Sequence, residues 1–355
     1  MNNDVEELWQ WIKSGQPMSI AEAGVNHLGS LELAEKLIAG TKEAGATAIK
    51  FQSYKAKNLC TRDAPRFWDW DGEEDPNGTQ YDSYSLLDSF GEEEHRELKR
   101  MCDSYNIEFM STPFDNEATD YLDRIGIRAY KIASCDITNH PLLAHVAKKN
   151  KIVMLSTGAA SLNEIEAAVE VVSNHTEKIV VMHCNLKYPT ANSEINLAMI
   201  NQLVERFGDR CVIGLSDHTM DLHTPAFAYM LGATVFERHF TIDKTLGKSA
   251  DHWLSADVPE LRQIIAKQKI AATMFGQSKK ECTESEERAK KYARRSIVAS
   301  RDIRAGESFS LDNMTCKRPG TGISPIEMES VIGKIAIMNI AEDELLNYQH
   351  YKEQK

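Results

Sequence analysis

Eight short apolar runs occupy the first 240 residues, and each gives way at its C-terminal end to residues that handle charge. The runs close at Glu22, at Lys50 with Gln52, at Thr112, at Lys131 with Ser134, at Ser156 with Thr157, at His183 with Asn185, at Ser216 with His218, and at His239. Between them lie amphipathic stretches, among them Leu31–Ala44, Glu92–Tyr105 and 162–172, with apolar residues three and four apart. Ser161 and Glu164 have the spacing of a capping box, and Gly45, Gly126 and Gly232 stand where helices end before the next strand. Strand and helix in strict alternation predict a closed parallel sheet of the α/β class, a (β/α)₈ TIM barrel. That architecture keeps its chemistry at the C-terminal strand ends, so the polar run ends point to one shared pocket. A short helix over residues 4–14 precedes the first strand and is expected to cover the barrel floor.

Two stretches break the rhythm. Residues 58–89 follow the second strand on the presumed active face and are rich in Trp, Tyr, Asp and Gly, which suits either a functional lid or an ordered surface loop. After Trp253 comes a predicted helix over Val258–Phe275, and then short strands and turns such as RRSIVASRDI, RAGESF, MTCKRPGTG, VIGKIAIMNI and DELL. The expected division is a barrel over 1–276, a charged linker over 277–292 and a small, mostly β module over 293–355. A unit of that size without a disulfide gains its stability by docking, so it reads as an accessory module.

Composition narrows the function. A chain of 355 residues accommodates one barrel of about 250 residues plus an appendage, and a hydrophobic content of 42% excludes disorder. The formal charge of −12 argues against nucleic acid or an anionic membrane as partner. An anionic substrate would have to be held by local Lys, Arg and helix N-termini. The apolar runs are too short to span a bilayer, and the acidic N-terminus lacks a signal peptide's basic flank and apolar stretch, so a cytoplasmic location is expected. Seven cysteines without a C-x-x-C pattern read as reduced thiols, with Cys135, Cys184 and Cys211 expected as small buried hydrophobes.

His218 and His239 close consecutive strands and so become neighbours in a barrel. Two imidazoles at adjacent strand ends can hold a divalent cation, with water and substrate oxygens in the open positions that Lewis-acid catalysis needs. His183 is either a third ligand or a supporting residue, and is left outside the direct coordination. Lys50 and Lys131 stand in otherwise apolar strands, where an unpaired charge is very costly. They form either a clamp for a phosphate or carboxylate, helped by the hydroxyls of Thr112, Ser134, Ser156 and Ser216, or a salt bridge to Glu22. The clamp is favoured because Glu22 could pair one lysine and not both. Glu22 itself is either a general acid or base near a bound metal or the counterion of Lys50. Asp251 and His252, just after the eighth strand, reach the same rim or are merely surface polar groups.

At these residues the chain resembles the sialic acid synthase family, the enzymes that make N-acetylneuraminate and related nonulosonates from phosphoenolpyruvate. The resemblance runs from Ser19 to the C-terminus through IAEAGVNHLGS, AGATAIKFQSYKA, STPFD, YKIAS, LLAHVAKKNKIVMLSTGAAS, HCNLKYPT, GLSDHT, ERHFTIDK, DHWLSADVPEL and RRSIVASRDIRAGE with KRPGTGISP. The C-terminal module is similar to the antifreeze-like (SAF) domain of these synthases. The resemblance implies condensation of phosphoenolpyruvate with the open-chain aldehyde of an N-acetylated hexosamine, assisted by Mn²⁺ or Mg²⁺, with loss of phosphate. It makes His218 and His239 the metal ligands, and these with Glu22 the catalytic group. Lys50, Thr112, Lys131, Ser134, Ser156 and Ser216 become the phosphoenolpyruvate site, and Gln52, Asn185, Tyr188 and Asp251 the sugar side. It further implies a domain-swapped homodimer in which Arg295, or its neighbour Arg294, reaches the acyl group of the partner's substrate. Two departures fall on the sugar side: Leu186 stands where relatives carry Asn or Ser, and Lys248-Ser249-Ala250-Asp251-His252 replaces the usual G-P-D-H. N-acetylmannosamine, a diacetamido sugar and a phosphorylated hexosamine all remain open as acceptors. Another metal-dependent aldolase or 3-deoxy-sugar-acid synthase, or a retired carbohydrate-binding barrel, stand as alternatives.

Overall fold

Eight parallel strands close into a barrel in sequence order: β1 (Met18–Gly24), β2 (Ala48–Ser53), β3 (Glu108–Pro113), β4 (Ala129–Ile132), β5 (Ile152–Ser156), β6 (Ile179–Cys184), β7 (Val212–Asp217) and β8 (Val235–His239). The computed structural model describes residues 2–68, 75, 77–247 and 251–351. It divides into two compact units, Met1–Gly276 and Gln277–Lys355.

The two-residue period of a strand decides which side chains face the barrel interior. Met18, Ile20 and Glu22 of β1 point inward, as do Ala48, Lys50 and Gln52 of β2, Ala129 and Lys131 of β4, and Val235, Glu237 and His239 of β8. Each inward column starts apolar and ends polar. The apolar starts pack with Val5, Leu8, Trp9 and Ile12 of the first helix, Asn2–Lys13, which plugs the floor as expected. The alternate residues, such as Ala21, Phe51, Phe109 and Tyr130, face outward and pack against the surrounding helices. Each fully buried large side chain of these two layers contributes about 1.5–3 kcal/mol relative to exposure. Gly214, inward on β7, is a glycine of necessity: a Cβ there would lie 2.7 Å from the Val235 carbonyl oxygen.

Local signals behave as the sequence suggests. Ser161 caps Leu162–Ser173 with the reciprocal Glu164 contact, and Gly45 and Gly126 end their helices with left-handed φ of 84° and 90°. Cys135 departs from expectation. It sits on the 3₁₀ turn Ser134–Asp136 beyond β4 and is exposed, whereas Cys184 and Cys211 are buried.

In the second unit, β9 (Ser296–Ala299) and β10 (Met314–Lys317) pair antiparallel over a core that includes Ile297, Phe309, Val331 and Leu346. The other expected strands reduce to single bridges, Ile303 to Ile340, Ser308 to Ile335 and Val298 to Leu345. Turns at Gly306 and Gly333, both at positive φ, interrupt those segments before a ladder can extend. The stretch read as a linker carries a 3₁₀ turn, Glu284–Glu286, and a helix, Glu287–Ala293, helped by the Glu287–Lys290 pair. No helix among the described residues is long and apolar enough to cross a membrane.

Candidate active site

The polar ends of the inward columns meet in a cavity of about 360 Å³ at the C-terminal mouth of the barrel, within the range of small-molecule sites. Glu22, Lys50, Gln52, Thr112, Lys131, Ser134, Ser156, Ser216, His218, His239, Tyr188 and Asp251 all line it. The four side chains on which the sequence reading leaned, two ammonium groups and two imidazoles, therefore share one cavity.

The charges at its base are paired. Lys50 Nζ lies 2.7 Å from Glu22 Oε2 and donates to Thr112 Oγ1 at 2.9 Å, while Gln52 donates to Glu22 Oε1 at 3.0 Å. Lys131 Nζ donates to Glu237 Oε1 at 2.9 Å, and the Ser216 hydroxyl donates to the same oxygen at 3.1 Å. Glu237 is the residue that sequence reasoning missed. Its presence overturns the argument that a salt bridge would explain only one lysine, because each lysine has its own carboxylate. The signal was available in the strand period, since Glu237 stands two residues before His239 and one turn of the pleat above Val235. Attention to the last polar residue of each strand passed over it.

Pairing does not exhaust the donors. An ammonium group carries three N–H bonds, and Lys131 directs one to Glu237. The Ser156 hydroxyl is buried with no hydrogen-bond partner among the described residues. Ser134 Oγ accepts the Gly158 backbone N–H at 2.9 Å, and its hydroxyl is directed at the Cys184 thiol. Burial drives the Glu22 carboxyl up, and repulsion from Glu237 adds to this; together they outweigh the attraction of Lys50 and bring it to about 7. Burial would raise Glu237 as well, but Lys131 and Lys50 hold it well below the usual carboxylate range. The interior thus holds one firmly ionised carboxylate and one poised near neutrality.

The imidazoles of His218 and His239 lie 5.3 Å apart between ring centres, and the Tyr188 ring lies tilted at 4.1 Å from His218 and meets His239 edge-on at 5.7 Å. His218 Nδ1 lies 2.6 Å from the Asn185 carbonyl oxygen; donating to it fixes the tautomer and leaves Nε2 as the lone-pair nitrogen. His239 Nδ1 is buried without a hydrogen-bond partner, with Asp251 Oδ2 3.6 Å away. Burial, reinforced by His218, holds His239 well below its ordinary range and so neutral. Burial likewise pushes Asp251 up, to about 6. Burial alone would lower His218, but the Cys184 thiol and the Asn185 carbonyl beside it hold it above its ordinary value. A divalent cation would take the place of the Nε2 proton there, and with the neutral His239 this donor pair fits such an ion. Among the described residues no group of three or more His, Cys, Asp and Glu side chains is spaced to hold a metal ion alone.

Other expected residues fall elsewhere. His183 is outward by strand parity, and its Nε2 lies 2.7 Å from the Ile195 carbonyl oxygen, a structural hydrogen bond behind the barrel wall. Asn185 is turned from the cavity: its side-chain amide donates to the Glu194 carbonyl, and its own carbonyl holds His218. Leu186, by contrast, lines the cavity. Arg295 belongs to the second unit, where its guanidinium donates to the Cys316 carbonyl. His252 is buried against the Thr241 hydroxyl at 2.8 Å. Of the segment replacing G-P-D-H, residues 248–250 lie outside the described residues, as do 69–74 and 76 of the long loop.

The site and its scaffold have known counterparts. Residues 37–280 match the NeuB family and residues 294–352 match the SAF domain. The chain is 40% identical to the N,N'-diacetyllegionaminic acid synthase of Campylobacter jejuni subsp. jejuni serotype O:2, over 92% of this chain and 98% of that protein. It is 35% identical to the N,N'-diacetyllegionaminic acid synthase of Legionella pneumophila subsp. pneumophila, over 93% of each chain. The N-acetylneuraminic acid synthetase of Leptospira borgpetersenii serovar Hardjo-bovis, solved with citrate, superposes with a TM-score of 0.68 at 35% identity, covering 77% of this chain and 90% of that one. With the barrel, the SAF unit and these relatives in agreement along nearly its whole length, the chain belongs to the NeuB family of sialic and related nonulosonic acid synthases.

Proposed function

We propose that this protein condenses phosphoenolpyruvate with the aldehyde of a diacetamido hexose to give a nine-carbon 2-keto-3-deoxy acid and inorganic phosphate. The observation that carries the reading is the meeting of two buried ammonium groups and two buried imidazoles in one cavity of small-molecule size. C3 of phosphoenolpyruvate attacks the aldehyde carbon and forms the new C–C bond. Water adds at C2, and the bond from C2 to the phosphate oxygen breaks. One water proton ends on the new hydroxyl and the other on the released phosphate.

Lys50 and Lys131, with the hydroxyls of Ser134 and Ser156, bind the carboxylate and phosphate of the enol ester. Glu22, poised near neutrality beside Lys50, is suited to hold a proton in transit between water and the sugar oxygen. Tyr188 and Asp251 orient the sugar. His218 and His239 would hold Mn²⁺ or Mg²⁺, which when bound polarises the aldehyde oxygen as a Lewis acid. We further propose that the active form is a homodimer, checked by light scattering.

Two points favour a diacetamido acceptor over a phosphorylated one. Two of the similar proteins are named for N,N'-diacetyl products. The described lining of the outer cavity, from Tyr54 to Leu87 and around Trp253, holds no Lys or Arg to pair a sugar phosphate. The test is phosphate release with Mn²⁺, phosphoenolpyruvate and each candidate aldose: 2,4-diacetamido-2,4,6-trideoxymannose, N-acetylmannosamine and its 6-phosphate. The expected result is release that needs both substrates and is fastest with the diacetamido sugar. Release without any aldose, or best with N-acetylmannosamine, defeats the reading.

A further inference from the structure

The outer half of the cavity contains a construction that the condensation chemistry leaves unused. Phe114 follows β3, Tyr54 follows β2, Tyr84 stands on the short helix Gln80–Ser85, and Phe67 and Trp68 come from the long loop; all five line the cavity. Their rings form a continuous chain of contacts. Phe114 meets Tyr54 edge-on at 5.9 Å, Tyr54 meets Tyr84 at 5.5 Å, Tyr84 meets Trp68 at 5.7 Å, and Trp68 meets Phe67 at 4.9 Å. Such an aromatic wall suits methyl groups and the C–H faces of a sugar.

A second observation marks the wall as a ligand site. The Tyr54 hydroxyl is buried and has no hydrogen-bond partner among the described residues. Buried hydroxyls are ordinarily satisfied, and one left over in the wall of a cavity is a group held ready for a bound molecule. The Asp251 carboxylate acts on the Tyr54 and Tyr84 phenols as it does on Lys50, so the wall and the lysines share one cavity.

We propose that Tyr54, Tyr84 and Trp68 form a subsite for the second N-acyl group of the acceptor sugar, remote from the reacting aldehyde. The acyl methyl packs on the rings of Tyr84 and Trp68, and the Tyr54 hydroxyl hydrogen-bonds the acyl amide. An N-acyl group offers both a methyl and an amide in that arrangement, whereas a sugar hydroxyl would use the hydroxyl and waste the wall. This inference rests on the condensation proposed above and names the residues that choose its acceptor.

The experiment compares the wild type with Tyr54→Phe and Tyr84→Leu, measuring kcat/KM with 2,4-diacetamido-2,4,6-trideoxymannose and with N-acetylmannosamine. The wild type is expected to prefer the diacetamido sugar. Tyr54→Phe, which removes one oxygen and keeps the ring, is expected to lower that preference about tenfold, chiefly through KM of the diacetamido sugar. Tyr84→Leu is expected to lower it in the same direction. A preference unchanged in both variants overturns the subsite while leaving the condensation standing. A wild type that releases no phosphate with any aldose overturns the condensation, and the subsite with it.

Discussion

The two ends of the cavity are built on opposite principles. At the inner end, charges are locked in pairs on strands, Lys50 with Glu22 and Lys131 with Glu237, and the sheet fixes every backbone position. At the outer end, aromatic rings from a loop, a short helix and two strand ends meet edge-on or tilted, and the described lining there holds no Lys or Arg. Removing one member of the inner set leaves a buried charge without its partner, whereas removing one outer ring forfeits only contact area. The inner end therefore constrains the reaction, and the outer end is free to determine the acceptor.

The sharpest way to break this contrast is at the imidazoles. His218→Ala or His239→Ala, and equally a chelator, should reduce phosphate release by at least about 10³-fold, the several kcal/mol expected of lost Lewis-acid assistance. Circular dichroism should stay native. Activity within tenfold of wild type would remove the cation from the mechanism and leave the two ends less different than argued.

Stability is the next measure. Lys131→Met strands Glu237, which keeps only Ser216 and the more distant Lys50. Breaking a buried pair on one side costs about 3–5 kcal/mol, so urea unfolding should show a loss of that order. Tyr84→Leu should cost clearly less. Equal losses would mean that the inner pairs are no more constrained than the outer wall.

These tests depend on features of uneven legibility in the sequence. The barrel was readable because each inward column repeats one pattern, apolar then polar, at a fixed period of two. Lys50, Lys131, His218 and His239 were readable because they interrupt or close apolar runs. Glu237 was not, because the neighbouring Arg238 and His239 make it look like ordinary strand-end polarity. In fact Arg238 points outward to Asp217 at 2.6 Å, a separate buried pair on the other side of the wall. Nor could the sequence show that the aromatics of residues 58–89 contact one another, since their contacts join a loop, a short helix and two strand ends. The side-chain role expected of Asn185 failed for a related reason: a loop residue's direction is set by its turn, here by Glu194.

A second contrast lies across the barrel wall. Inside, the buried lysines are paired with carboxylates; outside, two buried histidines are kept neutral. His27 is stacked on Phe90 at 4.1 Å and buried, and burial, with His95 adding, takes its pKa down to about 3. His95, hydrogen-bonded with Ser53 at 2.8 Å, is also lowered by burial. A base with a depressed folded pKa is protonated first in the unfolded chain. Its contribution is intact above its unfolded pKa, near 6.5, and is lost as pH falls from there toward the folded value, by at most about 1.4 kcal/mol per pH unit for each histidine. Glu237, held low, loses its contribution only below its unfolded value of 4.5. Glu22 and Asp251, raised by burial to about 7 and about 6, take up protons in the fold across the same window and act in the opposite sense. The histidine contribution is therefore read as a difference: between pH 6.5 and 4.5 the stability of wild type relative to His27→Gln should fall as pH falls. Parallel curves for the two proteins across this window would contradict the neutral-histidine account.

The smallest effect is also the most discriminating. Ser156 and Ser216 are both buried inward hydroxyls near the lysines, but among the described residues only Ser216 has a hydrogen-bond partner, the Glu237 carboxylate. Deleting a hydroxyl that serves a buried charge should cost about 1.5–3 kcal/mol, so Ser216→Ala should unfold measurably more easily. Ser156→Ala removes a group that the folded protein leaves unsatisfied, and unfolding should shift by no more than about 0.5 kcal/mol, if anything toward greater stability. Its loss should instead appear in ligand binding: KM for phosphoenolpyruvate should rise several-fold, because a donor reserved for the anion is gone, while the preference between two aldoses stays where it was. If Ser156→Ala destabilises the fold as much as Ser216→Ala and leaves that KM untouched, the hydroxyl belongs to the scaffold, and the inner end of the cavity has one fewer donor to offer an enol phosphate.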